Sequence, residues 1–456
     1  MAKSLSAAKS AKNDEFYTQL SDIENELRHY KDQLKDKIIF CNCDDPFESN
    51  FFKYFAMNFK QIGLKKLIAT CYDPSPVANT QLSLFDDDMS IKQKGMKKHV
   101  SRAYKIELDE ISDMDGSGSI GMVDVEKMLA REKEILRNGG VSKILTYLDG
   151  DGDFRSDECI ELLKQSDIVI TNPPFSLFRE YIAQLVEYDK KFIIIGNKNA
   201  VTYKEVFKLI QDNKLWLGYR NINSDMWLIL PDKSENYEKI VDGKKLKHIM
   251  ACWYTNLFVD RSEDPIVPYI KYEDGVKRGL YPKYDNYDAI EVSKVAEIPV
   301  DYYGAMGVPI TFLGKWVPPV LTERERERGV HHRRTGQVCQ GQSDTEQTNA
   351  YQQQGSLCKN HHQACMNMKS LDVATPMANQ SAITTTDGVI MSASTAKKSI
   401  NDYLLDKFEI IWTTDRGGDG MLDHIKKPHT RYDAPVVNGK GLYKRIIIKR
   451  RGNNKQ

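Results

Sequence analysis

Four short runs of consecutive apolar residues constrain this chain more than any other feature. They are Ile38-Ile39-Phe40-Cys41, Leu67-Ile68-Ala69-Thr70, Asp167-Ile168-Val169-Ile170-Thr171 and Phe192-Ile193-Ile194-Ile195. Each has the length of a strand, and none alternates with polar residues. Such strands bury both faces, which predicts a parallel sheet covered by helices on each side. Helix-period segments lie between them, at 51–59 and 177–188. A further helix is expected from Ser21, where Ser21-Asp22-Ile23-Glu24 reads as a capping box and Ile23, Leu27, Tyr30 and Leu34 recur at helical spacing. The reading is an α/β fold with a doubly wound sheet, whose ligands sit at the carboxyl ends of the strands.

Composition narrows the classes. With 456 residues there is chain for two or three domains. Lys+Arg 65 against Asp+Glu 64 leaves +1, so any surface for an anionic partner must be local. No apolar run approaches the ~18 residues of a transmembrane helix. The opening MAKSLSAAKSAKNDEF has no apolar core, so no secretory signal is expected. Eight scattered cysteines suit reduced thiols and a cytoplasmic location.

Two stretches break the rhythm. About 74–140 is polar and separates the second apolar run from the third. About 314–399 holds Glu323-Arg324-Glu325-Arg326-Glu327-Arg328 and Gln352-Gln353-Gln354 and lacks apolar periodicity, so it reads as a disordered low-complexity insert. Within the first, Asp113 to Asp124 resembles an EF-hand loop, with Asp113, Asp115 and Ser117 at positions 1, 3 and 5, Gly118 at 6 and Ile120 at 8. Position 12 is Asp124 rather than the usual Glu, and a solvated Gly-Ser turn is the plainer reading. Within the second, Cys358, His361, His362 and Cys365 lie closer together than the paired ligands of a zinc site usually do. His331-His332-Arg333-Arg334 is a similar incidental cluster. No metal site is assigned to any of them.

The most informative segment follows the third apolar run: Asn172-Pro173-Pro174-Phe175, leading into Ser176-Leu177-Phe178-Arg179-Glu180. Two prolines stiffen the corner and remove two backbone donors, leaving carbonyl acceptors. The Asn amide adds another acceptor, and an aromatic ring follows at once. Two acceptors and a ring suit a flat base carrying an exocyclic amino group. Hydrogen bonds to the amino protons push electron density onto the nitrogen as it attacks.

That corner is the amino-methyltransferase signature, and with it the chain resembles the EcoRI-type family of DNA adenine-N6 methyltransferases. Other matching stretches are Asp14-Glu15-Phe16-Tyr17-Thr18, Cys41-Asn42-Cys43-Asp44-Asp45-Pro46, Gly150-Asp151-Gly152-Asp153-Phe154-Arg155-Ser156 and Tyr281-Pro282-Lys283-Tyr284-Asp285-Asn286-Tyr287-Asp288. A later match is Met306-Gly307-Val308-Pro309-Ile310-Thr311-Phe312-Leu313. The resemblance covers most of 12–73 and 145–313 and returns around 403–451. It implies a class I methyltransferase-like sheet and S-adenosylmethionine as cofactor. It also implies roles. Asp14, Phe16, Tyr17 and Thr18 hold the methionine end of the donor, and Asp45-Pro46 form the donor loop. Asp153 takes the donor's adenine amino group while Phe154 contacts its ring. Asn172, Pro173, Pro174 and Phe175 form the catalytic corner.

The domain reading is a catalytic domain over 1–221, a target-recognition region over 222–313 plus 400–456, and the 314–399 insert. Between Lys426 and Arg451 nine Lys/Arg face one acid, Asp433, which reads as a basic tail for DNA phosphates. Double-stranded DNA is the expected partner, with a flipped adenine as target. A monomer with a cognate restriction endonuclease is expected. Two alternatives remain at this point: methylation of RNA or protein glutamine, or an inactive calcium-responsive DNA-binding module.

Overall fold

The computed structural model describes residues 17–43, 45–72, 103–220, 222–224, 226–230, 235–260, 268–316, 383–384, 390–391, 408–413 and 435–451. The chain divides into two units, 1–322 with 403–456, and 323–402. Within the second, Ile383–Thr384 pairs antiparallel with Ile390–Met391. Asp14, Phe16, the 323–328 charge run and the Cys358–Cys365 cluster lie outside the described residues.

The first unit is built on an eight-stranded sheet. Its strands begin with β1 (Ile38–Cys41), β2 (Lys66–Cys71), β3 (Tyr104–Leu108), β4 (Leu145–Tyr147), β5 (Ile168–Thr171), β6 (Lys191–Asn197) and β7 (Trp216–Leu217). A three-stranded excursion of β8 (Met226–Ile229), β9 (Lys239–Val241) and β10 (Lys244–Ile249) then precedes β11 (Ala251–Thr255). The sheet order is β4-β3-β2-β1-β5-β6-β11-β7. All four apolar runs of the sequence are strands, and they form the parallel centre, β2-β1-β5-β6.

Burial on both faces follows the strand period. Ile39, Cys41, Leu67, Ala69, Ile168, Ile170, Ile193 and Ile195 join one core, with Ile23 and Leu27 of helix Leu20–Leu27 and Phe51, Phe52 and Phe55 of helix Asn50–Met57. Phe40, Ile68, Val169, Phe192 and Ile194 join the other, with Phe178, Tyr181 and Leu185 of helix Phe178–Glu187 and Val206, Phe207 and Ile210 of helix Lys204–Gln211. Each large apolar side chain among them contributes roughly 1.5–3 kcal/mol by leaving water, so the two cores together anchor the sheet.

Three sequence expectations need correction. The sheet is mixed, because β3 and β4 extend one edge antiparallel and β11 and β7 the other. Part of the 74–140 stretch is therefore sheet rather than spacer: Tyr104, Ile106 and Leu108 are buried while Lys105 and Glu107 turn outward, the pattern of a strand covered on one face. Second, the first helix starts at Leu20 with Gln19 at its N-cap and no side-chain cap, so Ser21 lies inside it and the capping box does not form. Its entry is fixed by tertiary bonds instead. Tyr17 N–H donates to the Ile229 carbonyl at 2.8 Å, and Asn50 Nδ2 donates to the Thr18 carbonyl at 2.7 Å.

The third correction concerns the carboxyl end. Arg445–Arg450 is a central strand in a second sheet, flanked by Met306–Pro309 and Phe408–Thr413, with Ile290–Glu291 beyond. Ile446, Ile447 and Ile448 are fully buried. Arg445 Nη2 pairs with Glu291 Oε1 at 2.7 Å, and Arg450 lies over the Phe408 ring. Those two cations are spent inside the fold, leaving Lys440, Lys449 and Arg451 exposed among the described residues.

Candidate active site

Because β1, β2, β5 and β6 are parallel, the loops after them gather at one edge. β4 runs in the same sense, being antiparallel to β3, which is antiparallel to β2. The edge therefore collects the loop after β1 (Asn42 to Ser49), the loop after β4 (Asp149 to Ser156) and the corner after β5 (Asn172 to Phe175). Strand order changes direction between β1 and β5, which is where open α/β sheets bind ligands.

Asp45 is 7 % exposed. Its carboxylate accepts from the Phe47 N–H at 2.9 Å and from the Tyr104 hydroxyl, while its carbonyl accepts the Ser49 N–H at 2.6 Å. Burial pushes the carboxyl up to about 6, against the pull of the Tyr104 and Phe47 bonds. Pro46 is buried beside it, and the Lys133 ammonium lies 5.2 Å from the Phe47 ring centroid. Ser49 then caps helix Asn50–Met57 by accepting from the Phe52 N–H. Tyr17 and Thr18 reach this loop through the Asn50–Thr18 bond, so the two sequence motifs expected to hold the donor adjoin.

In the loop after β4, Gly152 takes φ +76°, and a Cβ there would lie 2.3 Å from the Cys71 carbonyl oxygen. Only glycine lets the loop back onto the end of β2. Asp153, half-buried, accepts from Arg155 Nη2 at 2.7 Å and Nε at 2.9 Å, and this pairing holds its carboxyl below the usual range. Phe154 is buried, its ring 5.1 Å from that of Tyr181, edge to face. Gln184 Nε2 donates to the Phe154 carbonyl at 3.0 Å. The Tyr181 hydroxyl in turn donates to Asn42 Oδ1. One tyrosine thus ties the β4 loop, the β1 loop and the helix that follows the corner.

At the corner, Asn172 and Pro173 are buried, and Pro174 and Phe175 are half-buried. The Pro174 carbonyl accepts the Leu177 N–H at 3.0 Å, so one of the two proline carbonyls is spent on the turn rather than left toward the crevice. Phe175 opens a 3-10 turn, Phe175–Leu177, and packs against the first core, whereas Phe178 faces the second. Gly196 on β6 makes room for Phe178, since a Cβ there would lie 2.3 Å from its ring.

Sequence reasoning gave no role to Asn42 and Tyr181 and missed Tyr104 and Lys133. The alternation through Tyr104, Ile106 and Leu108 was the available signal for Tyr104. The Asp113, Asp115 and Asp124 carboxylates do converge, within 4.8 Å. Backbone donors occupy them: Gly118 N–H bonds Asp113 at 2.7 Å and Gly121 N–H bonds Asp124 at 2.8 Å, and these bonds lower both pKa values. No helix among the described residues is long and apolar enough to cross a membrane.

The described residues thus form a mixed α/β sheet with the Asn172–Phe175 corner at its switch point, beside the loops that carry Asp45 and Asp153. The comparisons give the chain a family. The family described as Adenine-specific methyltransferase EcoRI matches residues 4–371. Type II methyltransferase M.EcoRI of Escherichia coli is 44 % identical over 335 residues, 72 % of this chain and 90 % of that protein. Type II methyltransferases M.MgeORF184P of Mycoplasma genitalium and M.MpnI of Mycoplasma pneumoniae are 36 % and 35 % identical, each covering 68 % of this chain and 82 % of theirs. No solved structure matches. The chain belongs to the EcoRI family of adenine-specific methyltransferases.

Proposed function

We propose that the corner Asn172-Pro173-Pro174-Phe175 is where this enzyme methylates N6 of an adenine flipped out of double-stranded DNA. The observation that carries the reading is the position of that corner: it ends β5 beside β1, at the point where strand order turns, with Phe175 not fully buried. The surrounding sheet is read as class I methyltransferase-like. Asn172 Oδ1 and the Pro173 carbonyl accept the two amino protons, and Phe175 stacks on the base. These bonds turn the nitrogen lone pair toward the methyl carbon. As the amino nitrogen takes the methyl group it would release one proton to solvent.

S-adenosylmethionine, when bound, supplies the electrophilic methyl on its sulfonium. The donor set at this edge suits it. Asp153, ionised by its Arg155 partner, is an acceptor for an adenine amino group, and Asp45 lies in the adjoining loop with Tyr17 and Thr18 behind it. Asp14 and Phe16 would precede them, and Phe154 backs the Asp153 loop. Residues 1–221 make the catalytic domain, and 222–313 with 400–456 the recognition region. We place the enzyme in the cytoplasm as a monomer, with a cognate restriction endonuclease as its counterpart.

Tritiated methyl transfer to bulk DNA, RNA and protein tests the substrate class. Label in DNA as N6-methyladenine is expected. Label confined to RNA or glutamine, or no transfer with or without calcium, contradicts the reading.

A further inference from the structure

The β8–β10 excursion leaves and rejoins the main sheet at the catalytic edge. β7 is antiparallel to β11, which is antiparallel to β6, so β7 ends, and β11 begins, at the edge where β6 ends. The join is held there: the Lys198 N–H, just after β6, donates to the Met250 carbonyl at 2.8 Å, and Lys198 Nζ reaches the Ser224 carbonyl at 3.4 Å. From that edge β9 and β10 project as a hairpin. Its two-residue turn, Asp242-Gly243, has φ +50° and +76°, the tight primed geometry that fixes a hairpin tip rigidly.

What the tip exposes is unusual for a solvated loop. Ile240 and Val241 are 55 % and 44 % exposed immediately before the turn. Lys244 and Lys245 pair across from Val241 and Ile240, Lys239 precedes them, and Lys247 and His248 follow along β10, against two acids, Glu238 and Asp242. On one face Lys239 Nζ lies 3.6 Å from the Trp227 ring centroid, and Trp227 packs beside His248. In a chain of net charge +1 this is a concentrated cationic, aromatic ribbon whose exposed aliphatics lie just before the Asp242-Gly243 turn.

We propose that the β9–β10 hairpin enters a groove of duplex DNA, its lysines on the phosphates and Ile240-Val241 pressed against the base stack beside the adenine delivered to Asn172. This rests on the reading of Asn172–Phe175 as the methylation corner. Strand ribbons fit a groove, lysines supply the sequence-independent attraction, and an inserted aliphatic wedge offsets the unstacking that extrusion of a base requires.

The test uses the full chain and a duplex carrying its own methylation site, mapped by sequencing DNA that it has methylated, with 2-aminopurine at the target adenine. Replacing Lys239, Lys244, Lys245 and Lys247 by Ala should weaken duplex binding by roughly 10-fold or more and reduce the log–log salt slope by about three to four. Ile240→Ser with Val241→Ser should leave duplex affinity within roughly threefold while removing most of the 2-aminopurine emission gain that reports extrusion. Donor affinity and circular dichroism should match the unaltered protein in both variants, which separates the effect from misfolding. Variants that bind and extrude like the parent, or that change only self-association, overturn the hairpin assignment while the parent's methylation of DNA leaves the corner standing. A parent that transfers nothing to DNA takes both down.

Discussion

Asp45 is largely shielded from water, and its proton affinity follows. Its folded pKa near 6 lies above the ordinary 3.8, so the native state binds a proton more tightly than the unfolded chain. The sign is fixed by that direction: the contribution to stability is complete below about 3.8 and is lost as pH rises through about 6. Between pH 4 and 7.5 the parent should therefore lose of order 3 kcal/mol relative to Asp45→Asn, read as unfolding free energy from urea titration. Curves that stay parallel across that window contradict the buried state of Asp45. Gly152 makes a second prediction at this scale. Gly152→Ala places a Cβ against the Cys71 carbonyl in a left-handed conformation, and should cost about 1–3 kcal/mol and raise the donor KM by moving Asp153. Gly150→Ala, whose Cβ meets only the Glu158 side chain at 3.4 Å, is the control expected to change little.

At the scale of elements, the four central strands were legible because a buried parallel strand writes its burial into unbroken apolar runs. Ile38 to Cys41 and Phe192 to Ile195 could be little else. The flanks were harder for a physical reason: a strand covered on one face needs apolar residues only at alternate positions, so Tyr104-Lys105-Ile106-Glu107-Leu108 resembled a polar stretch. The corner after β5 was legible as well, since two consecutive prolines fix the backbone locally. The ties of the neighbouring β1 loop were not, because Tyr104 lies 59 residues from Asp45, and Tyr181 139 from Asn42, in the chain. The last strand was misread as a basic tail because charge was weighed over the Ile446-Ile447-Ile448 run within it. Arg445 belongs to that strand, and its pair with Glu291 is buried, Glu291 also accepting from the Tyr284 hydroxyl. Arg445→Met should lower stability by roughly 3–5 kcal/mol by leaving the carboxylate alone, and Glu291→Gln added to it should recover part of the loss. Thermal denaturation of the two variants checks this; equal stability of parent and Arg445→Met would mean the pair does not hold the strand.

Across the whole molecule, the proposed function rests on three loops meeting at one sheet edge, and each is tied to a different element. The β1 loop is braced by Tyr104 from β3, the β4 loop by Cys71 at the end of β2, and the corner by the helix that carries Tyr181. A chain can methylate an amino group only if base and donor are aligned, and alignment here is a property of the sheet rather than of any one residue. The decisive measurement is single-turnover methyl transfer by Asn172→Ala and Phe175→Ala alongside donor affinity. A hydrogen bond to a group gaining charge is worth roughly 1.5–3 kcal/mol, so Asn172→Ala should slow transfer at least about 10- to 100-fold with donor affinity unchanged, and Phe175→Ala should slow it too. Transfer at the parent rate by Asn172→Ala would contradict the account.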